Sequence, residues 1–277
     1  MIGNIASLNF QSLEVSRAKF LLRIFVCRVR AVQLFFLAMN SWLKTGLDLI
    51  YPRSCAGCGC CLAADDSHLC WECKSDIQII VHPFCSICGD PLQGRIDHSF
   101  TCYHCCESRP HFDQARSAVR FRGILPRMIH HFKYSFAFWL EEDLAELLLA
   151  CCQTHFDSAA IDFIAPVPLF HARQRDRGYN QSALLAEALA RRLRLPCRPR
   201  AARRVRDTLT QTHLTADERA SNVHLAFSVP RPSVVFGRRV LLIDDVMTTG
   251  ATVNECARAL KQAGAAQVLV ATLARGG

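Results

Sequence analysis

The chain has 277 residues, 51% hydrophobic and 21% charged, with a formal net charge of +9. That length holds one large domain or two modest ones, and the composition is that of a globular protein able to build a core. Its 16 cysteines crowd between Cys55 and Cys106 as C-x-x-C pairs, which speaks for metal in a reducing, cytoplasmic setting and against a disulfide framework.

Residues 1–38 carry 5 basic and 1 acidic residue, and Phe20–Ala38 is apolar but broken by Arg23, Arg28 and Arg30. The longest uncharged piece, Ala31–Ser41, is too short to span a bilayer, so no transmembrane segment is expected. Charges inside the apolar region also argue against a signal peptide. A basic amphipathic helix at a membrane surface is one reading of this stretch. The simpler one is a start at Met39, which would make residues 1–44 an extension with a dispensable front.

Residues 45–111 read as a cysteine module. The pairs Cys55/Cys58, Cys70/Cys73, Cys85/Cys88 and Cys102/Cys105 are separated by 11, 11 and 13 residues. Two thiolates three apart on a tight turn grip one side of a tetrahedral Zn²⁺, and a second pair completes the site. Eight such sulfurs suggest two structural zincs. Sequential pairing is the simplest topology and crossed pairing the alternative, while Cys60, Cys61 and Cys106 are extra thiols able to compete. With few apolar residues here, zinc supplies most of the folding energy, of order 10 kcal/mol per site.

Residues 112–277 read as a second domain, in which 116–277 carry 23 basic and 14 acidic residues. Helical spacing is expected over Gly123–Tyr134, with Lys133 near its end, and over Phe138–Cys151, with Leu140, Leu144, Leu147 and Leu148 buried. Ile161–Pro168 reads as a strand stopped by its own prolines. Arg173, Arg175 and Arg177 cluster before Gly178, and Tyr179–Leu195 reads as a helix. Arg191–Arg206 holds eight arginines and no acid, which is a solvated face, a sugar-phosphate contact or a nucleic-acid surface. Asp207–Phe227 is polar and reads as a long lid-like segment.

The central stretch is Arg239–Thr252, RVLLIDDVMTTGAT. Val240–Ile243 is an apolar run suited to a strand buried on both faces. Asp244 and Asp245 stand where it should emerge, and Val246–Thr252 reads as a small-residue loop ahead of a helix over Thr252–Ala263. Gln267–Thr272 is the last strand. Backbone N–H groups of the loop and helix start suit a phosphate, with Thr248, Thr249 and Thr252 as added donors. Two carboxylates beside them suit vicinal sugar hydroxyls or a Mg²⁺ shared with a polyphosphate. A ribose 5′-phosphate meets both demands. Pro166–Leu169 and nearby arginines, at the same sheet edge, suit a pyrophosphate.

DDVMTTGAT resembles the phosphoribosyl-pyrophosphate (PRPP) loop of type I phosphoribosyltransferases. Together with four C-x-x-C pairs, FKY, PVPL, RGYNQ, T-x-x-Q and ER-x-x-N, it makes residues 45–277 resemble the ComF family, phosphoribosyltransferase-like proteins associated with bacterial competence and DNA utilisation. The family pattern falls on Lys133 and Tyr134; Pro166, Val167, Pro168 and Arg173; Arg177, Gly178, Asn180 and Gln181; Thr208 and Gln211; Arg219 and Asn222; and Asp244–Thr252. The extension and the extra cysteines depart from it.

The resemblance implies an α/β fold: an open parallel sheet of about five strands flanked by helices, with an N-terminal double zinc ribbon. It implies PRPP bound with Mg²⁺ at Lys133, Pro166, Val167, Pro168, Arg173, Arg177 and Val246, Met247, Thr248, Thr249, Gly250, Ala251 and Thr252. Asp244 and Asp245 would hold the ribose hydroxyls while a nitrogen nucleophile displaces pyrophosphate. Three functions compete: such a transferase serving DNA uptake with single-stranded DNA and uptake proteins as partners, a non-catalytic single-stranded-DNA binder keeping the pocket as a sensor, and a nucleobase salvage enzyme. The last lacks an aromatic platform, since Asp207–Phe227 has only Phe227.

Overall fold

The computed structural model describes residues 53–62, 68–92, 94, 96, 98–207 and 223–276. The N-terminal extension with Met39 lies outside the described residues, as do Thr208, Gln211, Arg219, Asn222 and most of the expected lid. From Ser54 onward the chain forms one compact unit.

In chain order the elements are α1 (Trp71–Ser75), α2 (Tyr103–Glu107), β1 (Gln114–Arg120), α3 (Leu125–Tyr134), α4 (Glu141–His155), β2 (Phe163–Pro166), α5 (His171–Arg177), α6 (Gln181–Leu193), β3 (Arg203–Arg204), β4 (Phe227–Ser228), β5 (Arg239–Met247), α7 (Ala251–Gln262) and β6 (Gln267–Arg275). Four strands make a parallel sheet in the order β1-β6-β5-β2. The resemblance implied about five. A further neighbour of β2 is reduced to one parallel bridge, Ile164 to Cys197, with Ile164 N–H donating to Pro196 O at 2.9 Å and Arg198 N–H to Ile164 O at 2.8 Å. Prolines 196 and 199 on either side lack the N–H groups a longer ladder would need.

Side chains alternate along the strands and so build two cores. Leu241 and Ile243 of β5, with Leu269, Ala271 and Leu273 of β6, face α3, α4 and α6. Val240 and Leu242, with Val268 and Val270, face α7. This doubly covered sheet is why these strands read as continuous apolar runs. Each fully buried Leu, Ile or Phe contributes about 1.5–3 kcal/mol.

The helices start and stop on local chemistry. Asn180 caps α6, its Oδ1 accepting from Ser182 N–H at 3.1 Å. Gly178, at φ 80°, ends α5 in a left-handed turn that a side chain would strain. Arg173, Arg175 and Arg177 thus lie on a short helix that this cap ends.

β5 is longer than its sequence suggested. The apolar run ends at Ile243, yet the ladder continues through Asp244 opposite Thr272 to Met247 opposite Arg275. β6 also outruns its expected end at Thr272, and its extra residues supply the backbone partners. Both acids consequently sit inside the strand end.

Candidate functional site

β2 leaves the sheet beside the acids. Pro166 pairs with Ile243, and Val167 N–H donates to Ile243 O at 2.8 Å, so the PVPL turn and the Asp244–Asp245 tip share the carboxyl rim. A cavity of about 640 Å³ opens there. Of the residues expected to contact a sugar phosphate, Lys133, Val167, Pro168, Arg173, Arg177, Asp244, Asp245, Val246, Thr248 and Thr252 line it. Pro166 is held in β2, and Met247, Thr249, Gly250 and Ala251 are not in the lining.

The loop explains that division. Met247 is buried beneath Gly250, and its carbonyl accepts from Gly276 N–H at 3.0 Å. Gly250 has φ 82°, and a Cβ there would come within 2.7 Å of Met247 Cε. Thr249 is exposed and its Oγ1 accepts from Ala251 N–H at 3.4 Å. Beyond Val246, the loop therefore faces the cavity through Thr248 and Thr252, beside the start of α7, whose first-turn N–H groups have no helical acceptor.

Both carboxylates are buried, Asp244 8% and Asp245 5% exposed. Asp244 accepts from Ser182 Oγ–H at 2.8 Å and from Asp245 N–H at 3.0 Å. Burial, followed by the neighbouring Asp245 charge, pushes its pKa up to about 7. Asp245 forms an ion pair with Lys133, accepts from Val246 N–H at 2.8 Å and is approached by Gln181 Nε2 at 3.4 Å. Lys133 therefore turns inward rather than lying on the surface.

RGYNQ is an assembly of supports for this rim. Arg177 donates to Gln181 Oε1 at 2.6 Å and to Tyr134 Oη at 3.2 Å, with its guanidinium 4.8 Å from the Tyr134 ring centre. Tyr179 Oη–H donates to Phe132 O, anchoring α3. Asn180 Nδ2 donates to Val167 O at 3.0 Å, fixing the PVPL turn. Ser182 and Arg204 were missed as site residues. Ser182 follows from the helix period only once the cap is known, and the buried Arg204 was one of eight arginines in a run that the sequence does not distinguish.

The cysteines gather sequentially. In the second ribbon the thiols of Cys85, Cys88, Cys102 and Cys105 all lie within 4.8 Å of one another. In the first, the corresponding set is Cys55, Cys58, Cys60 and Cys70, and Cys73, expected as a ligand, adjoins Cys55, Cys70 and Cys58. Cys58–Cys70 and Cys88–Cys102 are each 3.7 Å apart, matching the edge of about 3.8 Å that a ZnS₄ tetrahedron with bonds of about 2.3 Å requires. Cys70 and Cys102 N–H donate to the Cys55 and Cys85 sulfurs, at 3.3 Å each, as bound thiolates would need. These residues fit zinc. Cys61 and Cys106 are exposed and fall in neither set.

An open parallel sheet with an acid-tipped strand and small-residue loop, joined to paired Cys₄ clusters, defines a phosphoribosyltransferase-fold protein with a double zinc ribbon. Family models agree: residues 180–277 match the phosphoribosyl transferase domain and residues 46–106 the double zinc ribbon domain. The chain is 37% identical over 212 residues to "Competence protein F" of Haemophilus influenzae, covering 75% of this chain and 90% of that one. It is 33% identical over 221 residues to "DNA utilization protein YhgH" of Escherichia coli K12, covering 75% and 96%. To "Competence protein ComFC" of Bacillus subtilis it is 27% identical over 225 residues, covering 77% and 87%. The chain belongs to the ComF family. No helix among the described residues is long and apolar enough to cross a membrane.

Proposed function

We propose that the protein binds PRPP with Mg²⁺ and transfers its phosphoribosyl group to an acceptor in DNA uptake or utilisation, in the cytoplasm. One observation carries this: two buried carboxylates, Thr248 and Thr252 line the same cavity as Lys133, Arg173 and Arg177. Thr248, Thr252 and the start of α7 take the 5′-phosphate, Asp244 and Asp245 the ribose hydroxyls, and Arg173 and Arg177 the pyrophosphate. Mg²⁺ would neutralise the departing pyrophosphate, and the arginines share that task.

Lys133 neutralises Asp245. A ribose hydroxyl reaching Asp245 must displace that ammonium, which is then placed to meet the incoming phosphates. Asp244, with its pKa pushed up to about 7, exchanges its proton near neutral pH and can donate to a ribose oxygen as well as accept. Calorimetry of PRPP with Mg²⁺ against the wild type and the Asp244→Asn/Asp245→Asn double variant tests the site. Loss of binding is expected, by 1–2 orders of magnitude if roughly 1.4–2.8 kcal/mol is removed; equal binding would remove the assignment. Pyrophosphate release on adding candidate acceptors tests catalysis.

A second reading, a single-stranded-DNA binder with the pocket as sensor, is favoured by an adjoining groove of about 990 Å³. It shares Pro168, Leu169 and Arg204 with the first cavity and adds Arg198, Arg200, Arg203 and Arg231, and among the described residues none lining it is acidic. Arginine forks along such a groove suit phosphodiesters. Oligonucleotide binding that falls steeply with salt and is lost in Arg200→Ala/Arg203→Ala, without pyrophosphate release, would select this reading.

A further inference from the structure

The first ribbon brings together five thiols for a metal that takes four. Cys55, Cys58, Cys60 and Cys70 form the mutually close set, while Cys73 adjoins the same Cys55, Cys70 and Cys58. Both outer thiols therefore stand against the same three sulfurs. We propose that Cys60 is a zinc ligand in this ribbon, sharing the fourth coordination position with Cys73, so that the site has three fixed thiolates and one exchangeable one.

The second ribbon supplies an internal control. Cys55 N–H donates to Cys60 O at 2.8 Å, and Cys85 N–H donates to Asp90 O at 2.9 Å. Gly59 and Gly89 N–H donate to Cys55 and Cys85 O, at 2.8 and 2.9 Å. Asp90 is thus the positional counterpart of Cys60. Its carboxylate is turned to Arg275, with Nε 3.1 Å from Oδ1, and it is absent from the second metal set. The fifth thiol is a feature of one ribbon only.

Exchange needs no oxidant. One Zn–S bond breaks as another forms, and the proton of the incoming thiol passes to the departing thiolate, leaving charge and electron count unchanged. Cys60 is exposed and Cys73 buried. Exchange therefore moves the fourth bond between the surface and the interior.

Zinc content of the full chain, with and without Cys60→Ser, Cys73→Ser and the double variant, tests this, with Cys105→Ser as the ribbon-two reference. Each single variant in ribbon one is expected to keep two zincs per chain, the double variant and Cys105→Ser one. One zinc in Cys73→Ser, or two in the double variant, overturns the proposal, and so does one zinc in Cys60→Ser. A measurement on the wild type guards against variants that fail to fold. In zinc-loaded protein, maleimide should label Cys60 several-fold more slowly than the exposed Cys61, and chelation should abolish the difference. Equal rates before chelation overturn the proposal.

Discussion

The two ribbons follow one plan and lean on different parts of the molecule. The first joins the core on the α3–α4 side of the sheet through Cys55, Ala56, Leu69 and Cys73, with Arg127 donating to Gly57 O at 2.7 Å and His68 Nδ1 2.7 Å from Asp143. The second joins the opposite core through Cys85, Cys88 and Cys105, with Ala115 N–H donating to Ile87 O at 2.7 Å. Near-repeats in sequence have become one ribbon with a partly exposed metal set and a surplus thiol, and another whose metal set is largely buried beside β1. What distinguishes them is the partner surface rather than the cysteine motif.

Removing a ligand should break the comparison most visibly. Cys85→Ser takes out a fully buried ligand from a set that holds only four thiols, so one zinc and most of its folding energy, of order 10 kcal/mol, should go; thermal unfolding is expected to show a collapsed transition. Cys73→Ser, backed by Cys60, should shift the melting temperature far less. Equal losses would mean that the ribbons are equivalent after all.

The glycines after the first cysteine pair of each ribbon sharpen it next. Gly59 has φ 82°, and a Cβ added there would meet nothing within 4 Å, whereas at Gly89, φ 68°, a Cβ would stand 2.6 Å from Ala115 O. Gly59→Ala should cost about 1–2 kcal/mol in backbone strain. Gly89→Ala should add roughly 1–3 kcal/mol for the clash with β1. Denaturant midpoints of the two variants measure the difference, which should vanish if ribbon two is not seated on that strand.

Acid and base should separate the ribbons from the carboxylate site. Zinc binding requires deprotonated thiols, so the ribbons weaken as pH falls. Asp244 works in the other direction. Its folded-state pKa, about 7, lies above the ordinary 3.8, so between those values the native state holds a proton that the unfolded chain releases, and stability falls as pH rises. Asp244→Asn should therefore flatten the slope of unfolding free energy across that interval, worth roughly 2–4 kcal/mol in total. An unchanged slope would show that Asp244 is not the protonated group.

The smallest effect is expected at Asp90→Asn, which removes the charge facing Arg275 in ribbon two. Asp90 is 45% exposed, and solvent screening should hold the loss under about 1 kcal/mol. A larger loss in urea titrations would make that ion pair a main anchor of the ribbon.

The sequence alone determined the class of this protein. The apolar run before Asp244–Asp245, the small-residue loop after it and the spacing of the cysteine pairs are local patterns, set by backbone sterics and metal geometry, and they remain readable without a fold. The α4 core was legible for the same reason, since Leu140, Leu144 and Leu148 repeat at the helical period and are buried, whereas Leu147 is only half-buried. Tertiary structure alone decided that β5 carries both acids inside the ladder, because β6 had to extend beside it. It also decided that Lys133 turns inward to Asp245, that Arg204 is the buried member of its run, and that Cys60 rather than Cys61 or Cys106 enters a metal set. Each of these depends on which distant segment lies within a few ångströms, a distance that residue order does not record.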